Sequence, residues 1–225
     1  MLGRLDGVQA LQLTLYIEGY FTNVWDASCI VALTEKQLEF TTSRALLREG
    51  QGVPQMLRAK AAIGRIPALQ HGDLWLTESL AIVEYLEDAF PPPTHPRLFL
   101  AEPRRRARAR QVMAWLRSDL WALRTARPWE LSVYPTIELA PLSDDARREA
   151  DELVELVDWL HLHGELDEWN LAHADLAFAL MRLARSGYPI TQACQRLLDL
   201  NLARPSLRGY IEHARPPHPP PRSRS

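Results

Sequence analysis

The sequence predicts an α/β domain followed by an all-α helical bundle, and three observations carry that reading. Short strand-like runs alternate with helical patterns up to residue 90, in the order β-α-β-α-β-β-α. That order calls for parallel pairing of the first strands and an antiparallel hairpin at the end. Pro91-Pro92-Pro93 and Pro96 then exclude helix, so the chain changes domain there, and everything beyond is helical in pattern.

Met1–Ala10 reads as a lead-in, and residues 11–91 as the first domain. Leu11–Ile17 places Leu11, Leu13, Leu15 and Ile17 on one face of a strand. After a loop over Gly19–Asn23, Val24–Lys36 is a helix with Cys29, Ile30, Val31 and Leu33 turned inward. Leu38–Thr42 is the second strand, Arg48–Gly52 a polar loop, and Pro54 the first turn of a short helix to Ala61. Ala68-Leu69-Gln70 and Leu74-Trp75-Leu76 form a hairpin across His71-Gly72-Asp73, where glycine supplies the positive φ a tight turn needs. Pro67 has no N–H for a ladder and belongs at the strand's beginning. Thr77-Glu78-Ser79 opens a helix bearing Leu80, Ile82, Val83 and Leu86 at helical spacing.

Residues 92–214 read as the bundle. Glu102–Arg127 is expected as one long helix stopped by Pro128, its arginines a solvated or ion-paired face. Ser143 caps a helix to His163 that Gly164 ends. Leu171–Ser186 is apolar nearly all round and marks the buried central helix, with Asn170 as its cap. Ile190–Leu202 and Pro205–Ala214 complete the bundle, and residues 215–225, rich in proline and arginine, have nothing to bury and read as disordered.

A chain of 225 residues, 47 % hydrophobic and 24 % charged, has the composition of an ordinary soluble protein with a sizeable core. The net charge of −2 gives no case for non-specific nucleic-acid binding. Cys29 and Cys194 are far apart, which argues against a disulfide framework or a zinc site and suits a reducing cytoplasm. His161 and His163 are two apart on a helix and do not face one metal. Arg4 and Asp6 interrupt the N-terminal apolar residues, so neither a signal peptide nor a membrane span is expected.

The candidate chemistry sits where a proline-led hairpin runs into a helix N-terminus. Backbone groups of Ile66 and the first N–H groups at Ser79 make a polar niche suited to a carboxylate or a peptide backbone. The run IPAL…LTESLAIVEYLE, Ile66–Glu87, resembles the end of the glutathione S-transferase N-terminal domain. RARARQVMAWLRSDL, Arg106–Leu120, is similar to the YfcF-like bacterial branch. The resemblance extends from about Leu11 to Ala214 and implies a thioredoxin-like first domain, a cis proline at Pro67, glutathione as cosubstrate, no metal, and a homodimer.

Carried over, the resemblance assigns Ile66 the backbone bonds to the cysteinyl unit, positioned by Pro67. It gives Glu78 the γ-glutamyl ammonium and Ser79 the γ-glutamyl carboxylate. In FTNVWDASCIVAL the branch's thiol-stabilising serine is matched by Asn23, with Thr22 beside it. One donor to a charged sulfur contributes about 1.5–3 kcal/mol, or roughly one to two pK units. Either residue could therefore bring a thiol from about 8.5 toward neutrality with help from the helix N-terminus. Cys29 reads as a packed structural thiol. The function implied is activation of the glutathione thiol against an unidentified small hydrophobic electrophile or a peroxide, with a non-catalytic binding protein as the alternative. The electrophile pocket is expected near Met113, Trp115 and Arg117 and the C-terminus.

Overall fold

The computed structural model describes residues 12–45, 54–134 and 139–217. The lead-in, the Arg48–Gly52 loop and the last residues of the tail lie outside them. β1 (Leu13–Glu18), β2 (Phe40–Ala45), β3 (Ala68–His71) and β4 (Leu74–Thr77) form one sheet in the order β2-β1-β3-β4. β1 runs parallel to β2 and antiparallel to β3, and β3 antiparallel to β4, the thioredoxin-like arrangement. As one of the two interior strands, β1 is buried on both faces. Leu13, Leu15 and Ile17 enter the main core, while Tyr16 joins Leu57 and Ala68 in a smaller cluster flanked by Ile66 and Trp75.

Three helices accompany the sheet: α1 (Val24–Glu35), α2 (Gln55–Lys60) and α3 (Ser79–Ala89). Cys29, Val31 and Leu33 are fully buried on α1, whereas Ile30, expected inward, is only half-buried. β2 begins two residues later than expected, because Leu38 is used to close α1. Gln37 takes φ 56° and donates to Thr34 O at 2.9 Å, and Leu38 N donates to Leu33 O at 3.1 Å. This is a Schellman close with glutamine where glycine is usual.

The proline-rich connection is packed rather than loose. Lys36, with no solvent exposure, reaches Glu87 Oε2 at 2.6 Å and donates to Phe90 O at 2.8 Å. Glu87 Oε2 also accepts from Leu98 N at 2.9 Å, and His95 Nδ1 donates to Lys36 O at 3.0 Å. Leu98 and Phe99 are buried, and Leu98 O accepts from Leu171 N at 2.9 Å. Glu87 is therefore spent inside the chain and is not free to pair across an interface.

The bundle comprises α4 (Pro103–Ser118), α5 (Trp121–Ala126), a 3-10 turn (Trp129–Ser132), α6 (Asp144–Leu162), α7 (Leu171–Arg185), α8 (Gln192–Leu202) and α9 (Pro205–Ile211). The single helix expected over Glu102–Arg127 is broken at Asp119-Leu120, with Leu120 at φ 58°, ψ 35°. Partners from elsewhere satisfy the freed backbone groups. Glu149 Oε2 of α6 accepts from Leu123 N at 2.7 Å, and Arg124 Nη1 donates to Arg117 O at 3.0 Å. Several arginines of α4 find partners within the chain, among them Arg110 on Glu84 and Arg105 on Glu168. Among the described residues no helix is long and apolar enough to cross a membrane.

Asn170 caps α7 by accepting from Ala172 N at 3.0 Å. The ring of His173, in the same first turn, points at Glu165 O, 3.2 Å from Nε2. Burial pushes the His173 pKa down from 6.5 to about 4. Unfolded chains take up this proton near pH 6.5 while the folded one resists it, so stability is complete above about 6.5 and falls as pH drops toward 4. The full loss is roughly 3 kcal/mol. Urea midpoints measured across that window should decline in the wild type and decline less in His173→Gln. An equally steep decline in the variant would show that other groups cause it.

Candidate functional site

The loop between β1 and α1 is built around a buried carboxylate. Glu18 Oε2 accepts from Tyr20 N at 3.0 Å, Thr22 N at 3.3 Å and Thr22 Oγ1 at 3.0 Å. Asp26, in the first turn of α1, accepts from Glu18 N at 2.6 Å, and burial drives its carboxyl well above the usual range. Asn23 is the N-cap of α1: its Oδ1 accepts from Trp25 N at 3.0 Å, and its Nδ2 donates to Asp26 Oδ1 at 2.9 Å. The C-terminal segment closes on the same loop. Tyr210 and Arg215 both donate to Phe21 O, at 2.9 and 3.3 Å, so Arg215 is anchored where the sequence read the start of a disordered tail.

The two candidate thiol donors are thereby distinguished. The hydroxyl proton of Thr22 is committed to Glu18. The Asn23 amide has two N–H groups and commits one to Asp26, leaving the second. Cys29 lies buried on the same helix, and burial pushes its thiol well up, out of the range of a nucleophile.

At the hairpin, the Ile66–Pro67 bond is cis, and the β3 ladder starts at Ala68, so the backbone of Ile66 stands outside it. β4 ends at Thr77 and α3 opens at Ser79, a one-residue connection. Glu78 makes that corner at φ 67°, ψ 112°, with its side chain exposed and 3.9 Å from Arg65. A side chain-bearing residue held in such a conformation costs of order 1–3 kcal/mol. No side chain caps α3, so its first N–H groups remain for an anion.

Arg117 of α4 joins three elements at this point. It donates to Ser79 Oγ at 3.0 Å, to Ser28 Oγ at 3.3 Å and to Asp175 Oδ2 at 2.7 Å, with its guanidinium 4.5 Å from the Trp25 ring centroid. The Ser79 oxygen accepts here and keeps its own proton to donate. Through Arg117 the start of α3 is held beside the second turn of α1. The register Tyr16↔Ala68 likewise sets Pro67 beside the end of β1 that leads to Asn23. Ile66, Pro67, Ser79 and Asn23 thus lie about one end of the strands β1, β3 and β4.

A cavity of about 350 Å³ between the domains opens beside Asn23. Thr22, Asn23 and Trp25 line one side, and Trp121, Arg124, Trp129 and Arg182 the other. Met113 is fully buried, Arg117 is engaged, and Trp115 packs on the core, and none of the three lines this cavity. The break at Leu120 is what turns Trp121 and Arg124 to the cavity. No sequence signal announced it. Arg182, a charge on a helix apolar nearly all round, was the legible hint.

Glutathione is tested by the donor set. A peptide backbone can pair with Ile66, and a carboxylate can meet the Ser79 hydroxyl and the uncapped α3 N-terminus, so these residues suit the tripeptide. The family model for the glutathione S-transferase N-terminal domain matches residues 11–88, and that for the C-terminal domain residues 102–213. A probable glutathione S-transferase GSTU1 of Oryza sativa subsp. indica is 33 % identical over 81 residues, 36 % of this chain and 34 % of its own. A maleylacetoacetate isomerase of Pseudomonas aeruginosa is 46 % identical over 65 residues, 28 % of this chain and 29 % of its own. The chain thus spans about a third of the length of these curated relatives.

Among solved structures, a glutathione transferase homolog from Burkholderia GL BGR1 with bound glutathione superposes with TM-score 0.70 at 28 % identity, covering 89 % of this chain and 96 % of that one. A glutathione S-transferase from Rhodospirillum rubrum F11 gives TM-score 0.70 at 22 % identity over 94 % and 97 %, a likeness of fold. These matches carry no assignment to the YfcF-like branch. With both domain models matched in order across the fold just described, the chain belongs to the glutathione S-transferase family.

Proposed function

We propose that the protein is a glutathione transferase that activates the glutathione thiol at the start of α1 for attack on an electrophile held in the interdomain cavity. The observation that carries this is that Asn23, with one N–H uncommitted, caps α1 where it lines that cavity. The tripeptide supplies the nucleophilic sulfur. Ile66 offers its backbone beside Pro67, Ser79 and the α3 N-terminus meet the γ-glutamyl carboxylate, and Glu78 meets the ammonium. Asn23 donates to the sulfur and the α1 N-terminus favours its negative charge. Thr22, whose proton goes to Glu18, shapes the loop. Two buried free thiols suit a reducing cytoplasm. A homodimer through α3 and α4, without Glu87, is the assembly that accompanies this reading.

Ultraviolet titration of the bound thiolate tests the reading. In the wild type the pKa of bound glutathione should fall below that of the free tripeptide. Asn23→Ala should raise it by about one unit, the worth of one charge-assisted bond, and Asn23→Ser should retain turnover. If glutathione titrates alike free and bound, the chain is a binding protein on this fold.

A further inference from the structure

Arg182 is a buried cation facing a cavity. It lies on α7, the central helix, 6 % exposed, and its Nε has no hydrogen-bond partner. The charge beside it is Arg124, of the same sign, and burial with that repulsion lowers its pKa to about 10. By contrast, Arg117, which meets the same face of α7 two turns earlier, is matched by Asp175, and Arg204 by Glu35. Two acids also line the cavity. Glu18 sits with Thr22 on the α1 side, Oε2 holding the loop and Oε1 buried without a hydrogen-bond partner, and Glu130 is itself engaged.

Three tryptophans supply much of the remaining wall. Trp25, Trp121 and Trp129 line the cavity, and the Arg124 guanidinium stands 5.6 Å from the Trp25 ring and 5.8 Å from the Trp121 ring. Trp121 is 73 % exposed at one edge, an unusual position for so large an apolar surface. A guanidinium already stripped of water has met its desolvation cost before any ligand arrives, so an incoming carboxylate gains most of the ion-pair attraction. A planar carboxylate also matches the guanidinium fork.

We infer that the cavity binds electrophiles with a flat aromatic or conjugated body and a carboxylate, the body against Trp25 and Trp121 and the carboxylate on Arg182 with Arg124. This rests on the proposed transferase reading for the chemistry but not for the binding. With an aryl chloride of this class, the thiolate sulfur bonds to the ring carbon, the carbon–chlorine pair leaves as chloride, and the thiol proton passes to solvent.

Binding is read without glutathione, by quenching of tryptophan fluorescence with 4-nitrobenzoate and its neutral isostere 4-nitrobenzamide. The wild type should hold the benzoate about tenfold more tightly, the worth of one charge-assisted contact, and Arg182→Met should abolish the preference. Arg182→Lys, which keeps the charge, should retain part of it. Equal affinities in the wild type would overturn the inference even if Arg182→Met failed to fold, and so would an undiminished preference in a folded Arg182→Met. With glutathione added, 4-chloro-3-nitrobenzoate should exceed 4-chloro-3-nitrobenzamide about tenfold in kcat/KM. A benzoate preference in binding with turnover of neither compound would sink the transferase reading and leave the acid-binding site standing.

Discussion

Arg117→Ala is expected to cost about 3–5 kcal/mol of folding stability, the usual consequence of stranding one member of a buried ion pair. Asp175 has no side-chain exposure, and its Oδ2 is 2.7 Å from Arg117 while Oδ1 has no other partner. Removing the guanidinium leaves that carboxylate uncompensated inside α7. It also releases Ser79 and Ser28, the contacts that hold α3 against α1. Denaturant unfolding should therefore show the loss, and glutathione affinity should fall with it under conditions where the variant is still folded. Adding Asp175→Leu to the alanine variant should recover part of the stability, because the stranded charge is then gone. A loss below about 1 kcal/mol would mean that the pair is solvated like a surface bridge.

Lys36→Met should be of similar size, about 3–5 kcal/mol for the same reason. Glu87 is 5 % exposed, and Lys36 is the cation beside it. The effect should also be local, because the ammonium reaches Phe90 O and Glu87 reaches Leu98 N across the proline-rich connection. Amide hydrogen exchange should accelerate at Leu98 in the variant before it does in the sheet. Glu87→Gln in the Lys36→Met background should restore much of the stability, a neutral amide being far less costly to bury than an unpaired charge. Exchange at Leu98 unchanged from the wild type would show that the linker is held by Leu98 and Phe99 packing alone.

The parts of this protein that its sequence determined alone are those where local chemistry leaves one choice. Pro67 can only lead a strand, Gly72 at φ 61° can turn the hairpin, and Ser143 and Asn170 cap the helices they precede. Alternation in β1 and the apolar girth of α7 announced the centres of both domains. The polar niche at Ile66 and Ser79 was legible for the same reason, being made of backbone groups whose exposure follows from element boundaries.

What tertiary structure decided is where distant groups replace local signals. Nothing in RSDLWALR looks like a helix end; the chain breaks at Leu120 because Glu149 and Arg124 satisfy the backbone groups the break exposes. That break turns Trp121 and Arg124 to the cavity, so the pocket could not be placed from the period of one long helix. That the Thr22 hydroxyl proton is committed could likewise be read only once Glu18 was seen to take it. Nothing in the residues around Glu87 announces its burial, which follows from Lys36, 51 residues away, lying beside it. Hydrogen-bond donors and charges are assigned by what they meet in three dimensions, and residue order records only what they can offer.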